Sequence, residues 1–179
     1  MPIVPFLPCW RASRADVISG RWAAGLLLLL AGCAAPGAEI TGKAGGVSLG
    51  ETDAVFFGGP FVVITSSDLT CEDLAFIRQN YEDGVAPYEA DIGVLQLTWV
   101  AGEVTPGLKQ IAPDASVTAK VLSISDDVFV ESDASAGSVT IDVVKADERV
   151  EGTLAGVTFE DGTLAGSFVA EWCLNLREW

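Results

Sequence analysis

A short apolar run that ends just before a cysteine divides this chain in two. The run covers residues 23–31, which is about nine residues. A helix needs roughly 20 apolar residues to span a bilayer, so this run is too short to do so. Arg11, Arg14 and Arg21 precede it and supply a positive flank. The combination is typical of a secretory signal peptide and predicts that the chain is exported.

The end of the run, Leu30-Ala31-Gly32-Cys33, resembles the lipobox of bacterial lipoproteins. The resemblance implies that the Cys33 thiol is diacylated and that the chain is cut between Gly32 and Cys33. It also implies a new amino group at Cys33 that is often acylated. Several acyl chains on one residue give stable anchoring, which a single chain does not. The alternative is an ordinary signal peptide followed by a coincidental cysteine.

We therefore expect residues 1–32 to be the signal peptide, residues 33–38 a lipid-anchored tether, and residues 39–179 one acidic β domain. The tether consists of small residues and has little reach. Ala34, rather than Asp, follows Cys33. By the sorting rule of enteric bacteria, that choice favours the outer membrane of the cell envelope.

The charge of the chain limits its partners. Its net charge is −15, and residues 1–32 contain three Arg and one Asp, so the mature part carries −17. A nucleic-acid-binding protein needs a basic surface, so we expect no nucleic-acid partner. Docking on anionic lipid is disfavoured for the same reason. Attachment to the membrane is therefore expected to depend on the acyl chains of Cys33.

Two cysteines remain after Cys33, namely Cys71 and Cys173. A pair of cysteines in an exported chain predicts a disulfide. It would close a loop of about 100 residues, for which the chain-entropy model gives at most about 4–5 kcal/mol of stabilisation. The alternative is two free buried thiols.

The pattern of the mature part predicts a mainly β fold with one short helix. Leu95, Leu97 and Trp99 alternate with polar or smaller residues, as in a half-buried strand. Gly152-Thr153-Leu154-Ala155-Gly156 recurs as Gly162-Thr163-Leu164-Ala165-Gly166, which predicts a hairpin with an Asp161-Gly162 turn.

A helix is expected over about Cys71 to Asn80, after the candidate N-caps Ser66, Ser67, Asp68 and Thr70. Val139, Ile141 and Val143 should face the core, and most of residues 126–137 should form a loop. In all we expect about eight or nine strands in an antiparallel β-sandwich or barrel, with one short α-helix.

The mature chain as a whole resembles a loosely related group of small, uncharacterised, β-rich bacterial lipoproteins. The likeness lies in the lipobox, the Ile40-Thr41-Gly42 turn, Asp68-Leu69-Thr70-Cys71 before a helix, and the stretch from Val150 to Cys173. The pattern shared with this group is structural and implies no activity.

Catalytic motifs are missing from the sequence. The chain contains no His, which removes Ser-His-Asp and Cys-His catalysis and the usual zinc ligands. It has no P-loop, and we expect no cofactor. Carboxylates could still serve a hydrolase. Weak calcium candidates, for a calcium-assisted adhesion or surface module, are Asp126, Asp127, Glu131 and Asp133. We expect a non-enzymatic, lipid-anchored module that binds a partner or supports the envelope.

Overall fold

The structure, a computed structural model, describes residues 35–82, 92–125 and 128–178, and most of these lie in β-strands. One α-helix, α1 (Cys71–Glu82), and a closing 3-10 helix (Leu174–Glu178) accompany the strands. The strands are β1 (Gly37–Gly42), β2 (Gly50–Thr52), β3 (Val55–Gly58), β4 (Phe61–Thr65), β5 (Ile92–Trp99), β6 (Gly107–Gln110), β7 (Val117–Ser125), β8 (Val128–Asp133), β9 (Ala136–Lys145), β10 (Arg149–Phe159) and β11 (Gly162–Trp172).

Nine of these strands form one hydrogen-bonded path in the order β6-β9-β10-β11-β3-β4-β5-β7-β8, which curls into a half-barrel. β1 branches from the path by pairing with β11, and β2 pairs with β1. The predicted mainly β fold with one short α-helix is confirmed, and the sheet is mostly antiparallel. The parallel pairing of β3 with β11, through Glu171↔Phe56 and Trp172↔Phe57, was not predicted.

Both faces of the curled sheet bury apolar side chains. On the inner face, Leu95, Leu97 and Trp99 of β5 join the main core, as their alternation predicted. On the other face, Ile92 and Val94 of the same strand join a smaller core. Leu74 and Ile77 of α1 complete this second core, so the helix lies against the outside of the sheet.

α1 begins with a capping box. Thr70 Oγ1 accepts a hydrogen bond from the Asp73 backbone amide at 3.2 Å, and the Asp73 carboxylate accepts one from the Thr70 amide at 2.8 Å. These contacts satisfy two backbone donors that no helical carbonyl can reach. Thr70 is therefore the N-cap among the four candidates, and the helix continues two residues past the predicted end at Asn80, to Glu82.

The predicted hairpin is formed by β10 and β11. Its two-residue turn is Glu160-Asp161, because Phe159 pairs with Gly162, so Gly162 is a strand residue rather than a turn residue. Leu154 and Leu164, which occupy matching places in the repeated segment, are both buried. The repeat thus gives the two arms the same inward-facing leucine.

Two local predictions were wrong. The stretch Val128–Asp133, within the segment expected to be a loop, is edge strand β8 paired with β7. Its Phe129 packs against the second core, while Val128 and Val130 are exposed. An edge strand of this kind lacks the clear pattern of buried apolar residues by which a strand is recognised in a sequence.

The second error lies in β9, where Val144, not Val143, packs against the main core. Glu151 pairs with Val143 but Gly152 pairs with Ile141, which leaves Asp142 as an extra residue. Such a bulge reverses the alternation of inward and outward side chains beyond it.

Gly166 should be among the least replaceable positions of the sheet. Its φ is +151°, and an added Cβ would overlap the Glu39 carbonyl oxygen of β1. We expect Gly166→Ala to lower the free energy of unfolding by about 3 kcal/mol. Gly156→Ala is the matched control, since its φ is +59° but nothing lies within 4 Å of the added Cβ. It should cost about 1 kcal/mol. Urea unfolding of both variants measures the difference, and equal losses would contradict the overlap.

Candidate functional site

The residues predicted to carry the lipid, Cys33, and the cleavage point, Gly32 and Cys33, lie outside the described residues. The described chain starts at residue 35, and β1 begins at Gly37. Gly37 and Ala38, which the sequence analysis placed in the tether, are therefore the first two residues of the sheet. Among the helices that the structure describes, none is long and apolar enough to cross a bilayer.

Cys71 and Cys173 are joined in a disulfide, with Cα atoms 5.6 Å apart. Cys71 is the first residue of α1 and Cys173 directly follows β11, so the bond attaches the helix to the end of the hairpin. The disulfide packs against the second core, in which Cys173 is fully buried and Cys71 partly buried. Asn175 Nδ2 donates a further hydrogen bond to the Cys71 carbonyl oxygen at 3.2 Å. The role of this pair is structural.

Loss of the disulfide should destabilise the domain without changing its fold. We expect Cys71→Ser combined with Cys173→Ser to lower the free energy of unfolding by about 2–5 kcal/mol. Urea unfolding with and without a reducing agent provides the check. The reducing agent should bring the wild type down to the level of the double variant and leave the double variant unchanged. A wild type that is insensitive to reduction would contradict the prediction.

The structure describes two of the four calcium candidates. Asp126 and Asp127 lie outside the described residues. Glu131 and Asp133 lie on β8, where Glu131 Oε2 forms an ion pair with Lys120 Nζ at 2.5 Å and Asp133 pairs across the strands with Lys120. A lysine therefore already neutralises part of this acidic pair. Within the described ranges, no group of three or more His, Cys, Asp or Glu side chains is arranged to hold a metal.

An acidic groove runs along β1 on the surface of the domain and encloses about 390 Å³. It begins at Gly37, where the described sheet begins. The register places a row of side chains across four strands, because Thr153 pairs with Ser167, Ser167 with Glu39, and Glu39 with Glu51. The carboxylates that line the groove are those of Glu39, Glu51, Asp53, Asp142 and Glu151.

The groove brings negative charges close together, and their repulsion opposes the strand pairing that places them there. Glu39 and Glu51 stand directly opposite each other on β1 and β2, and like charges at such positions are destabilising. Glu151 Oε1 is balanced by Arg149 Nη2 at 2.6 Å. Sequence reasoning missed this surface because its five acids come from four separate segments. Only the register of the strands, together with the Asp142 bulge, brings them together.

Asp161, from the turn of the β10–β11 hairpin, binds a second turn of the chain. Its two carboxylate oxygens accept hydrogen bonds from the Gly45 and Gly46 amides at 2.9 and 2.8 Å. These two bonds, with the Gly45 amide contributing most, lower the pKa of the Asp161 carboxyl from its usual 3.8. Asp161 thereby connects two turns that lie far apart in the chain.

The lowered pKa of Asp161 predicts a stability contribution that depends on pH. The carboxyl binds its proton less tightly in the folded state, so the contribution is fully present above the unfolded-state pKa of 3.8. It should disappear as the pH falls through the lower, folded-state pKa. Urea unfolding of wild type and Asp161→Asn over this range measures it, and the stability difference between them should shrink toward acid. A difference independent of pH would contradict the assignment.

No family model, no curated protein and no solved structure matches this chain.

Proposed function

We propose that this chain is a lipid-anchored protein of the bacterial cell envelope whose β domain has a binding or structural role and no catalytic one. The observation that carries the proposal is the sequence Leu30-Ala31-Gly32-Cys33 at the end of a short apolar run. An acylated Cys33 would hold the domain on the membrane. The expected location is the outer membrane, because Ala34 follows the cysteine.

The start of β1 adds a distance limit to this proposal. Four peptide units separate Cys33 from Gly37, the first residue of the sheet. Fully extended, they reach about 14 Å. An anchored domain would therefore stay close to the bilayer surface. The acidic groove, which begins at Gly37, would be the nearest of the described surfaces along the chain.

The composition supports a role that does not depend on catalysis. The chain has no His, and its mature part carries a net charge of −17, because residues 1–32 remove three Arg and one Asp from the total of −15. Such a charge favours solubility and repels anionic lipid, so anchoring would rest on the acyl chains. The aromatic residues Phe56, Phe57 and Phe61 are buried in the cores and present no aromatic binding patch.

Anchoring by Cys33 is directly testable. We expect Cys33→Ser to move the protein from the membrane to the soluble fraction and to abolish incorporation of labelled palmitate. Cys9→Ser is the matched control, because Cys9 belongs to the segment expected to be removed. It should change neither property. The anchoring proposal fails if Cys33→Ser stays in the membrane fraction and takes up as much label as the wild type.

A further inference from the structure

A cavity of about 170 Å³ lies at one edge of the sheet and shares no lining residue with the acidic groove. Strands β9, β11, β3 and β5 all run in the same direction. β11 pairs in parallel with β3, while β9 joins β11 through antiparallel β10 and β5 joins β3 through antiparallel β4. Their carboxyl ends therefore lie along one edge, and the cavity is lined by these ends and the segments that follow them. Such openings of curled sheets are common places for ligands.

One wall of the cavity is apolar. Val104, from the segment after β5, belongs to the main core, and Val144 of β9 packs against that core. Both residues line the cavity, together with the half-buried Trp172 at the end of β11. The indole of Trp172 packs against the buried ring of Phe57, edge to face, with ring centroids 5.2 Å apart. The cores therefore hold this wall in place.

Three charged residues complete the lining, namely Glu103, Asp147 and Arg177. None of the three forms an ion pair with another residue in the described part of the chain. By contrast, Glu148, the neighbour of Asp147, pairs with Lys145 Nζ at 3.4 Å. The cavity therefore offers two carboxylates and one guanidinium that no protein charge neutralises.

The fold fixes the segments that carry these charges. An added Cβ on Gly59, in the turn between β3 and β4, would come within 3.4 Å of Arg177 Cα and 3.8 Å of its Cγ, so the 3-10 helix packs closely on this turn. The turn between β9 and β10 is held by the Trp172 amide, which donates to the Glu148 carbonyl oxygen at 3.2 Å. Within that turn, Asp147 has φ +54°, a left-handed conformation that few residues other than glycine adopt.

We propose that this cavity binds a free α-amino acid with an apolar side chain. The ammonium group of the ligand pairs with the carboxylates of Glu103 and Asp147, and its carboxylate pairs with the Arg177 guanidinium. Its side chain packs against the wall that contains Val104 and Val144. The site deepens the binding role in the proposed function, on which it rests, and needs no part of the lipid anchor.

The charges favour this class of ligand over the alternatives. A purely cationic ligand would be repelled by Arg177, and a purely anionic one by the two carboxylates. An uncharged ligand would cover charged groups without pairing them, which costs free energy. A zwitterion pairs with both signs of charge, and the indole of Trp172 adds a favourable contact for its ammonium group. The cavity is also smaller than the roughly 300–1,000 Å³ of sites for drug-sized ligands, so it suits a small molecule.

Isothermal titration calorimetry of the purified full chain tests the choice of ligand, with L-leucine and two analogues as probes. Isoamylamine lacks the carboxylate of leucine and isocaproate lacks its ammonium group, while both keep the apolar side chain. L-leucine should bind at least about tenfold more tightly than either analogue, because each analogue leaves one sign of charge unpaired. The proposal is overturned if L-leucine gives no heat of binding at about 10 mM, or if an analogue binds as tightly.

Variants of the lining residues test where the ligand binds. Arg177→Gln and Asp147→Asn should each weaken L-leucine binding about tenfold or more, since each removes one charge that pairs with the ligand. Asn tolerates the left-handed conformation at position 147, so the turn is kept. Glu148→Gln is the matched control, because its carboxylate pairs with Lys145 and the residue does not line the cavity. It should change the affinity by less than about twofold.

Equal effects of Asp147→Asn and Glu148→Gln on L-leucine binding would refute the site. The anchor is read separately, because Cys33→Ser should bind L-leucine as tightly as the wild type whichever membrane fraction it occupies. Either proposal can therefore fail without the other.

Discussion

The contact on which the rest of this domain depends is the close approach of β1 to β11. At Gly42, Gly162 and Gly166, an added Cβ would overlap a backbone carbonyl oxygen of the facing segment, respectively that of Thr163, Lys43 and Glu39. Glycine removes the overlap and lets the two backbones approach. β11 can then pair with β10 on one edge, and with β1 and then β3 on the other. The groove along β1 and the Gly45-Gly46 turn that Asp161 binds are both positioned by this contact.

The negative charge of the domain opposes the pairing of its strands, and the structure shows what offsets this repulsion. The domain places Glu39 opposite Glu51 across two short strands, where repulsion weakens the pairing of β2. The Asp161 carboxylate, in turn, accepts hydrogen bonds from the amides of Gly45 and Gly46, which lie in a turn between strands. The disulfide and the two apolar cores supply the stability that these strands lack. Negative charge is therefore tolerated at the surface because apolar burial is large on both faces of the sheet.

What could be predicted from the sequence is what depends on local periodicity. Alternation identified β5, the repeated five-residue segment identified the β10–β11 hairpin, and capping residues identified the start of α1. The disulfide was predicted from the presence of two cysteines in a chain that we expected to be exported. β8 was missed because an edge strand with exposed Val128 and Val130 lacks the alternation that burial imposes. Val144 was missed because a one-residue bulge reverses alternation without any sign in the local sequence.

The groove and the Asp161 contact could not be predicted for a different reason. Each joins residues that lie far apart in the chain, such as Gly45 and Asp161, and sequence periodicity carries no information about such pairs. β1 also keeps these two features apart. It spans Gly37–Gly42, about 17 Å at the usual rise of a strand, with the start of the groove at one end and the turn that Asp161 binds following the other. If the chain is anchored at Cys33, the groove would lie close to the lipid along the chain, whereas this turn would come a full strand later.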